Sequence, residues 1–114
     1  MKHWISGLPI GGRPRAVPAR PGLYAYGVVL RNHGLPVKVE WVYIGKAKSL
    51  RQRTQSHDPV NEANPDLQIW LRKPPEHAEL WVLEVDAKDL DDAERELIGH
   101  VNPRFNRHHK TKRT

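Results

Sequence analysis

From Gly22 to Leu30 the chain reads Gly-Leu-Tyr-Ala-Tyr-Gly-Val-Val-Leu, and from Val37 to Ile44 it returns to residues that are largely β-branched or aromatic. Such runs suit a pleated, half-buried surface. Asn32-His33-Gly34-Leu35-Pro36 between them carries turn signals, so the two runs predict an antiparallel hairpin. Ala78 to Val85 alternates, with Leu80, Val82 and Glu84 on one face and Trp81, Leu83 and Val85 on the other, which predicts a third strand. Three further stretches are helical in character. A basic one runs from about Ala47 to Ser56 and stops near His57-Asp58-Pro59. A short one opens on Asn64-Pro65, an N-cap followed by proline at the first helical position, carries Leu67, Trp70 and Leu71, and ends before Pro74-Pro75. In the last, capped by Asp86 or Asp89, Leu90, Ala93, Leu97 and Ile98 recur at helical spacing until Pro103. The order β-β-α-α-β-α predicts an α/β fold of the mixed α+β kind: a small three-stranded antiparallel sheet flanked by helices. Residues 1–20, rich in proline, glycine and arginine, read as an N-terminal arm that is ordered only where it packs on the domain.

The most chemically suggestive stretch is the junction of the second strand and the basic helix, Trp41 to Arg53. Gly45 there permits the close or strained backbone that a sharp turn into a helix would need. Lys46, Arg53 and His57 follow at spacings of seven and four, near whole helical turns, so they are expected on one helix face. Tyr24 and Tyr43 both fall at the end of the hairpin away from its turn, close in space though distant in sequence. A phenol, an ammonium, a guanidinium and an imidazole gathered in this way suit a phosphate.

Composition sharpens that reading. The 114 residues support one domain with a modest core. The net charge is +6 and the isoelectric point is near 9.9. More telling is where the charge lies: Lys46, Lys48, Arg51 and Arg53 form one basic block, and Arg104, Arg107, Lys110, Lys112 and Arg113 a second. Two separated basic blocks favour a polyanion, most simply nucleic acid. The absence of cysteine rules out a disulfide scaffold and a zinc–thiolate site. No run has the length of a membrane span or the make-up of a signal peptide, so a cytoplasmic protein is expected.

Gly22-Leu23-Tyr24 followed by Tyr43-Ile44-Gly45 resembles the paired signature of the GIY-YIG nuclease superfamily. Further elements agree with the family pattern: Lys46 three residues after the second tyrosine, Arg53 ten residues after it, His57 four beyond the arginine, and Glu94-Arg95-Glu96-Leu97-Ile98 followed by Pro103 and Asn106. Glu94, three residues before the Leu-Ile pair and twelve before the asparagine, fits the family's metal-binding glutamate; Glu96 does not. The resemblance spans residues 21–107, which leaves residues 108–114 as a basic tail. It departs in Leu23, where the family has isoleucine, and in a longer hairpin between the tyrosines.

The resemblance implies a metal-dependent DNA endonuclease. Its catalytic residues would be Tyr24, Tyr43, Lys46, Arg53, His57, Glu94 and Asn106, with Glu94 holding Mg²⁺ or Mn²⁺. Tyr24 would activate the water, Tyr43 would orient water or phosphate, Lys46 or His57 would relay the proton, and Arg53 would hold the scissile phosphate. A tyrosine ordinarily titrates near ~10, so cationic neighbours must depress it before it acts as a base. Asn106 would support the site by hydrogen bonds to backbone near the first strand. Lys46, Lys48, Arg51, Arg53, Arg104, Arg107 and Lys110 would contact duplex or structured DNA, bound by a monomer or a transient homodimer.

Each of these residues also has a plainer reading. Strand tyrosines commonly pack in cores, Lys46 and Arg53 could line a solvated helix face, and Glu94 could serve the helix dipole. His57 could equally interact with helix-end carbonyls. Trp41, Trp70 and Trp81 suit a core, although an exposed one could stack on a base. Asp91-Asp92 reads as helix-terminal charge, and His108-His109 as part of the basic tail. The competing function is a non-catalytic nucleic-acid-binding module that keeps the fold. Retention of Tyr24, Tyr43, Arg53, Glu94 and Asn106 together favours the enzyme.

Overall fold

The computed structural model describes residues 3–10, 16–55 and 64–106. Its centre is the expected hairpin, formed by β2 (Gly22–Asn32) and β3 (Leu35–Ala47), the two longest strands. Their connection is two residues long. His33 and Gly34 both take positive φ, 52° and 83°, the backbone of a turn whose twist matches that of the strands it joins. β4 (Ala78–Glu84) lies antiparallel on the other side of β2.

The sheet has four strands rather than the expected three, in the order β1-β4-β2-β3. The additional strand, β1 (Ile5–Leu8), comes from the N-terminal arm and pairs with β4. Ile-Ser-Gly-Leu is too short and too little patterned to signal a strand by itself. It forms because β4 would otherwise present an open edge of unpaired backbone groups.

The basic helix α1 (Leu50–Gln55) starts later than expected, because β3 continues through Gly45 and Lys46 to Ala47, which pairs with Gly22. Ser49 starts the helix: its Oγ accepts from Gln52 N at 3.4 Å. Carbonyls of the arm meet the first amides of the helix, Arg20 O accepting from Leu50 N (2.9 Å) and Pro18 O from Arg51 N (3.1 Å). α2 (Pro65–Arg72) begins as expected, with Asn64 Oδ1 accepting from Asp66 N and Leu67 N at 3.1 Å each. Neither Asp86 nor Asp89 caps the last helix with its side chain. A turn of 3-10 helix over Ala87–Asp89 leads instead into α3 (Leu90–Val101), which ends on Asn102 in the left-handed conformation, with Pro103 behind it.

Both faces of the sheet are covered. On one, Tyr24, Tyr26, Val42, Leu80 and Val82 pack against Leu50 of α1 and Leu67 and Leu71 of α2. On the other, Ala25 and Ile44 pack against Ile98 of α3, with Trp41, Trp81, Leu97 and Val101 alongside. The expected faces of β4 are the ones observed, Leu80 and Val82 on the first and Trp81 on the second. The tryptophans are half-buried packing residues: Trp41 meets Trp81 edge-on at 5.2 Å, and Trp70 meets Tyr26 at 6.0 Å. None of the helices among the described residues is long and apolar enough to cross a membrane.

Candidate active site

The ladder between β2 and β3 sets the two tyrosines. Tyr24 is paired with Gly45 and Tyr26 with Tyr43, so Tyr24 and Tyr43 are diagonal neighbours. Their ring centroids are 6.2 Å apart. Tyr24 is buried, 1% exposed, and Tyr43 is half-buried. Gly45 is not the turn residue the sequence suggested. It lies within β3, and a Cβ added there would overlap the end of the Tyr24 ring. Gly22 answers a similar constraint, since a Cβ there would strike Leu83 O and the Leu50 side chain. Both signature glycines therefore allow close packing.

Arg53 approaches the same face from α1. Its Nε donates to Tyr24 Oη at 3.1 Å, and its guanidinium carbon stands 5.9 Å from the centre of the ring. The guanidinium therefore holds the phenol oxygen directly. Tyr24, Tyr43 and Arg53 thus form one cluster, on the face covered by α1 and α2.

Lys46 belongs elsewhere. The expected helix face shared by Lys46 and Arg53 does not form, because Lys46 is a strand residue paired with Leu23. Successive side chains of a strand alternate between faces, so Lys46 points away from Tyr24 and toward α3. There its Nζ donates to Asp91 Oδ1 and lies 3.9 Å from Glu94 Oε1. The hydrogen bond with Asp91 raises the Lys46 ammonium above its ordinary value and lowers the Asp91 carboxyl below its own. The two glutamates of α3 are clearly separated. The Glu94 side chain is 14% exposed and adjoins Lys46, whereas Glu96 is 76% exposed and stands 3.9 Å from His100.

Asn106 joins the site through β3 rather than through the first strand of the hairpin. Its Oδ1 accepts from Ile44 N at 2.9 Å and its Nδ2 donates to Ile44 O at 2.8 Å. The preceding residues run along the same strand, Phe105 N donating to Val42 O (2.7 Å) and Arg104 N to Trp41 O (3.3 Å). Residues 104–106 therefore close the outer edge of β3 beside the site.

The residues expected to contact nucleic acid are dispersed. Lys48 is exposed. Arg51 turns toward the arm, its Nε donating to Val17 O at 2.9 Å. Arg104 pairs with Glu40 at 2.8 Å and lies over the Phe105 ring. His57, Arg107, Lys110, Lys112 and Arg113 lie outside the described residues. The contact the sequence reading missed is Asp91 on Lys46. Its signal was present in the spacing, since Asp91 is three residues before Glu94 and so stands on the same helical face.

The sequence matches no known protein-family profile and no curated protein. The likeness lies in structure. The GIY-YIG N-terminal endonuclease domain of UvrC from Thermotoga maritima, in a crystal structure bound to magnesium as its catalytic divalent cation, superposes with a TM-score of 0.51 at 23% identity over 80% of this chain and 88% of that one. An asparagine-to-alanine variant of the same domain, bound to its catalytic divalent cation, gives 0.53 at 22% identity over 80% and 87%. A tyrosine-to-phenylalanine variant gives 0.51 at 23% over 80% and 87%. At such identity the likeness is one of fold.

Proposed function

We propose that this chain, which has the GIY-YIG nuclease fold, is a metal-dependent DNA endonuclease that hydrolyses phosphodiester bonds. The observation that carries the reading is the cluster Tyr24–Tyr43–Arg53 at the end of β3 where Lys46, on the opposite face, adjoins the Glu94 carboxylate. A basic binding relic has no need of a phenol held by a guanidinium, nor of a largely buried glutamate at the same strand end.

Glu94 offers a hard oxygen donor. Such a donor suits Mg²⁺ or Mn²⁺, which take oxygen ligands and retain several waters. Bound there, such an ion supplies Lewis-acid stabilisation of charge on the phosphoryl and leaving oxygens.

The chain's own groups account for the remaining needs. Arg53 carries a planar fork, which suits the non-bridging oxygens of a phosphate and offsets the charge that develops on them. Its Nε also polarises Tyr24. In this reading the Tyr24 phenol takes the proton of the attacking water. Burial gives specific support to a second division of roles, in which half-buried Tyr43 meets the water and buried Tyr24 orients Arg53. Asn106 keeps Ile44, and with it the Tyr43–Lys46 segment, in register. DNA is the substrate this reading implies, drawn to the protein by its positive charge.

The test is incubation of the full chain with supercoiled plasmid in Mg²⁺, Mn²⁺ or EDTA, beside Glu94→Ala. Metal-dependent nicking that the variant loses is the expected result. If the Glu94→Ala protein cut at the wild-type rate, the metal assignment would be wrong. Salt-sensitive binding without any cutting would favour the non-catalytic module.

A further inference from the structure

Asp91 and Glu94 share one face of α3, and a single ammonium lies between them. Lys46 Nζ is hydrogen-bonded to Asp91 and 3.9 Å from Glu94. The two carboxylates differ in setting, with the Asp91 side chain 76% exposed and the Glu94 side chain 14% exposed. Given the reading of Glu94 as the metal ligand, Lys46 is a competitor for the same oxygens. An ammonium and a divalent cation cannot occupy one carboxylate face together without strong repulsion.

Lys46 has a fixed base in β3 and a flexible four-carbon stem. If the charge at position 91 is removed, the carboxylate left within 4 Å of that ammonium, among the described residues, is Glu94. We propose that Asp91 is a positioning residue that draws the Lys46 ammonium toward itself, so that Lys46 pairs only loosely with Glu94 and a divalent cation can compete for that carboxylate. The same contact keeps the ammonium next to the site, where the phosphate arrives. Because the pair is exposed, its effect weakens as salt rises.

The test is direct binding of Mn²⁺ to the metal-free full chain, read as loss of the paramagnetic resonance signal of free Mn²⁺. Asp91→Asn is expected to weaken binding about tenfold, the low end for groups that support a metal ligand. Lys46→Met is expected to tighten binding, and in that background Asp91→Asn should have almost no effect. Asp91→Glu, which keeps the charge, should restore most of the affinity. Two results would overturn the inference: unchanged affinity in Asp91→Asn, or an equal loss with and without Lys46, which would mean that Asp91 acts on the cation directly. A different failure is recognisable by its own control. If wild-type protein bound Mn²⁺ no better than Glu94→Gln, the metal assignment itself would fall, and the role of Asp91 with it.

Discussion

The ring of Tyr24 lies across the backbone of Gly45, its partner in the β2–β3 ladder, in the space that any side chain at position 45 would need. The second motif's glycine thus seats the first motif's tyrosine. Tyr24 has little room to retreat. It is 1% exposed, packs edge-on against Tyr26 at 5.8 Å, and is held at its hydroxyl by Arg53.

Gly45→Ala is therefore expected to harm stability and site together. Forcing a methyl group into a closed contact costs about 1–3 kcal/mol, which lowers the melting temperature by roughly 4–8 °C for each kcal/mol in a domain of this size. Nicking should fall further than the unfolded fraction explains, because Tyr24 Oη moves relative to Arg53. Thermal unfolding by circular dichroism, with cleavage assayed well below the transition, checks both. An unchanged melting temperature would mean that the ring has room to shift.

Asn106→Ala strips both polar groups from the outer edge of β3 at a buried position. Leaving a buried donor or acceptor without a partner costs about 1–3 kcal/mol each, so a loss of roughly 2–6 kcal/mol is expected in denaturant titration. The Ile44 amide should also lose hydrogen-exchange protection more than amides of β2. Equal loss across the sheet would point to a global effect rather than to the edge.

Much of this was legible along the chain. The hairpin, the Asn64 cap of α2 and the two faces of β4 follow from local pattern, because each rests on neighbours in sequence. The paired tyrosines were legible because a hairpin makes their proximity a matter of register. What was missed depends on distant partners. β1 exists because β4 has an edge to cover. Lys46 is a strand residue because Ala47, beyond it, pairs with Gly22, and a glycine followed by a basic run looks the same whether the strand ends or continues. The extra residue near Val42, where the β2–β3 register shifts between Tyr26 and Gly27, left no trace in the alternation. Asn106 was expected near the first strand, but a side-chain amide gives no sign of which backbone it will join.

Arg53→Lys separates charge from geometry. A lysine keeps the positive charge that attracts DNA but lacks the planar fork and the Nε–H that meets Tyr24 Oη. Cleavage should fall by about 10²–10³, the usual effect of removing a preorganised charge stabiliser. The affinity for DNA and its dependence on salt should change little, since the number of neutralised phosphates is the same. Parallel cleavage and salt-titration assays would decide this. A matching fall in binding would make Arg53 a docking residue.

Glu79 contributes to the response of the fold to acid. Arg31 Nη2 and Nε reach its two oxygens at 2.7 and 3.1 Å, and Trp81 Nε1 donates to it at 2.9 Å, so the group ties the outer part of β2 to β4. Burial by itself would push the carboxyl up, but the hydrogen bonds from Arg31 and Trp81 and the charge of Arg31 outweigh it, leaving Glu79 below the ordinary glutamate value. A carboxyl lowered in the folded state stabilises that state fully above its unfolded pKa of about 4.3, and the contribution fades as pH falls through the lower, folded value. Glu79→Gln should accordingly be less stable than wild type at pH 7, with the gap closing as the solution is taken down through the carboxylate range. Urea titrations at pH 7 and at about pH 3, below the ordinary carboxyl values, measure both ends. A gap of the same size at both would assign the loss to packing of the side chain rather than to its charge.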